Sequence, residues 1–319
     1  MSGGRTECAT GANAAVVSRD PGVAALLPGC LAAWLRGVPA SEAALFGVEV
    51  PAPRAGPVRQ SGAVTVELAA PPRRRILGNE VLLVLGLSLG QSAIYSLVRI
   101  VARLTDERPL SEQSAALNVS QSVRPWLDLA YQLLGIFFAL LPVLLALHLL
   151  NRYPGNAVRR LGLDAGRPGR DLAYGAGLAA LIGLPGLALV WAAAQLGLNV
   201  SLVPSALQDT WWAVPVLILA AAQNGILEEV LVVGYLMTRL GELRWSVPAI
   251  IAASALLRGT YHFYQGFGGF VGNVVMGVIF ALVFLRTRRV MPLVVAHTLI
   301  DVVAFVGYDL LPDSWFDWL

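Results

Sequence analysis

The chain has no lysine, only two cysteines and three histidines, and 13% of its 319 residues are charged. Cys8 and Cys30 are too few for a disulfide framework, and their spacing suits no zinc site. There is no HExxH stretch, which removes the best-known helical zinc-protease signature. So low a charge content does not describe an ordinary soluble surface. The formal net charge of +3 comes entirely from arginines as cations, and these sit mostly at the ends of apolar runs. That placement points away from nucleic acid and toward membrane flanks. No internal repeat stands out, which counts against a transporter built from inverted repeats.

What is present is apolar sequence. Hydrophobic residues make up 56% of the chain, and runs long enough to cross a bilayer, about 20 residues each, recur from residue 76 onward. Residues 1–75 are rich in Ala, Gly, Pro and Val without a sustained period, and read as a mostly disordered cytoplasmic extension with at most one short amphipathic helix. Residues 76–319 read as one transmembrane domain. Seven spans are expected, at 78–103, 127–150, 171–197, 211–239, 246–263, 268–286 and 290–308. The fold class is therefore all-α, a polytopic transmembrane helix bundle. Arg73, Arg74 and Arg75 precede the first span, and Arg152, Arg159, Arg160, Arg167 and Arg170 fill the connection after the second. Arg239 and Arg244 mark the turn after the fourth, and Arg286, Arg288 and Arg289 the turn after the sixth. Residues 198–210 and 264–267 hold no arginine. The bias of basic residues to one side places the N-terminus in the cytoplasm and the C-terminus outside, in a multi-pass protein of the cell membrane.

Ionisable residues inside these spans are the unusual feature. Glu228 and Glu229 interrupt the fourth span, Arg258 and His262 the fifth, and His297 and Asp301 the last. A charge at the bilayer centre costs about 2.5–3.5 kcal/mol even on a lenient scale, so these groups should face one another. Helical rise puts Glu228 about 16 Å, His262 about 21 Å, His297 about 12 Å and Asp301 about 18 Å from the cytoplasmic edge, one layer of the membrane. Arg258 and His262 are four apart, as are His297 and Asp301, so each pair shares a helix face. Glu228 and Glu229 are consecutive, about 100° apart around an α-helix, which implies divided roles.

The pattern EE on one helix, His262 on the next and His297-xxx-Asp301 on a later one resembles the CPBP (Abi) family of intramembrane proteases, which includes the CAAX prenyl endopeptidases. The resemblance covers about residues 211–308. It departs from the family's EExxxR and FxxxH at two places, where Val233 stands for Arg and Arg258 for Phe. The resemblance implies an endopeptidase acting on a peptide or membrane-protein substrate in the lipid bilayer. Glu228 would be the general base on a water, helped by His262, and His297 would stabilise the oxyanion. Asp301, which cannot donate a hydrogen bond when ionised, would hold His297 in its donating form. Glu229 becomes a structural partner of Arg258, whose guanidinium would replace the one lost at Val233. The same resemblance leaves two cofactor states open: none, or zinc on His262, His297 and Glu228. Two other functions stay open as well, a catalytically silent scaffold or immunity protein and a proton-coupled transporter.

Blander expectations cover the rest. His148 reaches water at a helix end. Glu80 and Asp128 are interfacial. Gln223 and Asn224 make packing hydrogen bonds between helices. Trp211, Trp212, Tyr261 and Tyr264 form an outer aromatic belt.

Overall fold

A computed structural model of the chain describes residues 74–152 and 155–310. The expectations for the N-terminal extension fall almost wholly on residues outside this set. Helices α1 (Arg74–Gly86) and α2 (Leu89–Leu104) occupy the first expected span but meet at 56° instead of running straight. The break is capped locally, because Ser88 Oγ donates to the Val84 carbonyl at 2.6 Å. Helices α3 (Pro125–Ala139) and α4 (Leu141–Leu150) form one apolar column. Its joint falls at Leu140 because Pro142 has no N–H to continue the ladder. The short α5 (Ala157–Arg160) leads to α6 (Pro168–Gln195). The fourth column runs from α7 (Ala213–Glu228) through a π-helical segment (Glu229–Leu236) into α8 (Met237–Glu242). Then follow α9 (Val247–His262), α10 (Phe267–Thr287) and α11 (Met291–Leu310).

Helix thus lies at every one of the seven expected positions. By length and apolarity, four columns can cross a membrane, and five if the bent α1–α2 pair is one span. The 16-residue α9 and the apolar part of α11, Met291–Gly307, are shorter than that standard. They carry Arg258 with His262 and His297 with Asp301, whereas Glu228 and Glu229 lie on the fourth column. The distribution of polarity is that of a membrane bundle: Leu184 is 73% exposed and Leu82 71%, whereas Arg239 and Arg258 are fully buried.

One small sheet joins this otherwise helical fold. Strands β1 (Ser114–Val119) and β2 (Ser201–Ala206) pair in parallel, Ser114 opposite Ser201 through Val119 opposite Ala206. Both lie in connections where no hydrophobic period is sustained, so pairing is decided by tertiary proximity. Asn118 ties the pair further by donating to the Pro204 carbonyl at 2.7 Å. The turn after α9 joins the same end, with Val200 N–H bonded to the Gln265 carbonyl and Phe267 N–H to the Leu198 carbonyl. Gly266 has φ 110°, and a Cβ there would stand 2.5 Å from the Leu198 carbonyl oxygen.

The arginine-rich connections gather at the opposite end. Arg289 binds Asp171 at 2.6 Å and Asp164 at 3.2 Å, and the Val290 N–H bonds to the Leu161 carbonyl at 2.7 Å. Arg239 binds Glu242 at 2.7 Å, Glu80 at 3.0 Å and the Leu149 carbonyl at 2.9 Å. Arg152 meets Glu80 at 2.6 Å. Glu80 is therefore not merely interfacial; it is a buried ion-pair partner that ties α1 to α8 and to Arg152, just past α4. Asp128 is likewise fully buried, accepting from the Gln121 N–H at 2.6 Å, and His148 is exposed.

Candidate active site

The site lies where α7 turns into the π segment, against α9 and α11. Gly225 permits this approach, since a Cβ there would stand 2.6 Å from Thr298 Oγ1 and 3.0 Å from the Val294 carbonyl of α11. The π segment opens one residue after Glu228, and all eight of its residues are buried. Widened helical turns free backbone carbonyls, and here side chains take them up. Ser254 of α9 donates to the Val232 carbonyl at 3.1 Å, and Thr238 to the Gly234 carbonyl at 2.6 Å.

Arg258, fully buried on α9, reaches both glutamates. Its Nη2 donates to Glu229 Oε1 at 2.6 Å and its Nη1 to Glu228 Oε2 at 3.4 Å. The two consecutive glutamates do not share an atom: the guanidinium fork presents two nitrogens and serves one carboxylate with each. His297 Nδ1 lies 2.6 Å from Glu229 Oε1. A carboxylate only accepts, so that nitrogen carries the hydrogen. His297 Nε2 then faces Asp301 Oδ1 at 3.7 Å and Glu228 Oε2 at 4.0 Å. The close partner of His297 is thus Glu229, with Asp301 at longer range. Asp301 itself accepts from Asn224 Nδ2 at 3.1 Å, a hydrogen bond between α7 and α11. His262 is half-buried, and its Nδ1 donates to the Arg258 carbonyl at 3.2 Å, so its Nε2 is the nitrogen left for other work. No hydrogen bond joins His262 to Glu228 among the described residues.

Tyr261 was missed by sequence reasoning. It does not stand in an outer aromatic belt; it is 5% exposed, and its hydroxyl donates to Glu228 Oε2 at 2.7 Å. The signal was available, because Tyr261 lies three residues after Arg258 and so shares its face. Trp212 is also buried, at 2% exposure, whereas Trp211 is exposed and Tyr264 half-buried.

The convergent ligand-type group is Glu228, Glu229 and His297, with ligand atoms within 4.8 Å of one another; His262 is not part of it. Glu229 is the member of this group least available to a cation. Glu229 Oε1 already accepts two bonds at 2.6 Å, from Arg258 and His297, and the guanidinium brings a permanent positive charge between the carboxylates.

Fold and site together define a polytopic helical membrane protein with a buried Glu/His centre. Residues 210–303 match the family model described as type II CAAX prenyl endopeptidase Rce1-like. The matched segment contains Glu228, Glu229, Arg258, His262, His297 and Asp301, so this part of the chain is similar to that endopeptidase family. No curated protein and no solved structure matches the chain.

Proposed function

We propose that this protein is an intramembrane endopeptidase that hydrolyses a peptide bond with a water activated by Glu228, without a metal. Glu228 accepts the proton of the attacking water. His262, through Nε2, assists from the neighbouring helix. His297, its Nδ1–H committed to Glu229, stabilises the oxyanion through Nε2–H, which the ring carries when it is protonated. Asp301 lies on the same side of that ring and favours its donating form, while Glu229 anchors both Arg258 and His297. In so enclosed a place charges act strongly on one another, which favours stabilisation of a developing oxyanion.

The observation that carries this function is the convergence of Glu228, His297, Asp301 and Arg258 from three helices on one buried point. Seven crossings, with the N-terminus in the cytoplasm, are proposed from the same bundle, because its connections alternate between the sheet end and the arginine-rich end. The substrate is a peptide or membrane-protein segment presented from the bilayer.

Purified protein in liposomes, with Glu228→Ala as control, tests the activity. Cleavage by the wild type alone, at a rate unaffected by zinc chelators, is expected. Proton-coupled flux in its place would make the protein a transporter, and neither activity would leave a scaffold. Loss of activity on chelation, restored by zinc, would overturn the metal-free mechanism.

A further inference from the structure

The two oxygens of Glu228 are not equivalent. Oε2 accepts from Tyr261 at 2.7 Å and from Arg258 Nη1 at 3.4 Å. No group among the described residues bonds to Oε1. The Glu228 side chain keeps 10% of its surface exposed, whereas the Glu229 side chain keeps none. One oxygen is therefore held and the other looks out.

Arg258 does not do the holding. Its short bond, 2.6 Å, goes to Glu229, and its contact with Glu228 is the long one. A carboxylate on a three-bond side chain swings about its last torsion unless a short bond arrests it, and an O–H donor to an ionised oxygen is among the stronger neutral-to-charged contacts. Tyr261 supplies that bond from a ring packed on His262, with ring centroids 4.7 Å apart. It stands in the last turn of α9, in sequence next to His262 and in space next to Glu228.

On the footing of the peptidase chemistry above, we propose that Tyr261 is a positioning residue. Its hydroxyl fixes Oε2 of Glu228 and so turns Oε1 toward the water to be activated. The tyrosine does not touch the substrate; it acts through Glu228. Because it precedes His262 directly, the same backbone turn sets the distance between the base and its helper.

Tyr261→Phe removes the hydroxyl and keeps the ring, and two readouts test it on the full chain in liposomes. The first is the carboxylate infrared band of Glu228, identified with carbon-13 glutamate as the band lost in Glu228→Gln. The second is cleavage of an internally quenched farnesylated peptide. The band is expected to move in Tyr261→Phe. kcat is expected to fall about 10- to 100-fold, part of what a positioned general base contributes, with KM changed less than about 2-fold. An unmoved band overturns the proposal, as does a wild type that does cut the peptide but no faster than Tyr261→Phe does. A wild type that cuts nothing, with a band that still moves, keeps the Tyr261–Glu228 link and places the failure in the proposed activity.

Discussion

Arg258 shows how a single residue can be both a departure from a motif and part of its site. Against the motif that the sequence resembles, Arg258 stands for a phenylalanine and Val233 for an arginine. Val233 is fully buried on the π segment, and Arg258, equally buried, delivers its fork to the glutamates from α9. Removing one member of a buried ion pair leaves the other charge uncompensated, at a cost of about 3–5 kcal/mol. Arg258→Ala is therefore expected to lower the unfolding midpoint of the purified protein and to abolish activity. The double substitution Val233→Arg with Arg258→Phe returns a guanidinium to the same layer, and part of the activity should come back. Equal loss in the single and double variants, measured on the same preparation, would show that the two positions do not exchange.

At the scale of the element, the contact between α7 and α11 determines whether the glutamates meet the histidine. Gly225 lies one turn before Glu228, and His297 lies one residue before Thr298, which a Cβ at Gly225 would strike. Gly225→Ala gains about 0.8–1.0 kcal/mol of helix propensity. Overpacking in a well-filled interface costs about 1–3 kcal/mol, and the clash here involves backbone as well as a side chain, so the unfavourable effect wins. Reduced thermal stability and a loss of cleavage are expected, both larger than for Gly135→Ala, a site with open space around it. The π segment belongs to this scale too. Ordinary helical spacing makes Glu228 and Glu229 diverge, and it was the neighbouring helices that brought their carboxylates to one guanidinium.

At the scale of the molecule, the connections sort into two groups. Residues 198–210 pair with residues 114–119 and with the turn after α9. Arg289, Arg239 and Arg152 are clamped at the other end by Asp171, Asp164, Glu242 and Glu80. If the bundle crosses the membrane seven times, a cysteine placed at Gln208 and one placed at Arg170 must react from opposite sides. The experiment uses intact cells, a membrane-impermeant maleimide and a background lacking Cys8 and Cys30. Gln208 is expected to label from outside and Arg170 only after the membrane is opened. Labelling of both from one side would remove the proposed topology.

Much of this was legible in the sequence for a plain physical reason. Long apolar runs and flanking arginines are one-dimensional signals, and an ionisable residue in such a run stands out because burying it is costly. Those signals located the helices, the layer of charge and the residues Glu228, Glu229, Arg258, His262, His297 and Asp301. Only the tertiary structure decided the partners. It assigned His297 to Glu229 more closely than to Asp301, brought both glutamates to Arg258 and drew Tyr261 inward. It also bent the first column and paired two strands from distant connections. Each of these depends on which helix faces which, and on distances of a few ångströms between residues far apart in the chain. Spacing along one helix carries no record of that.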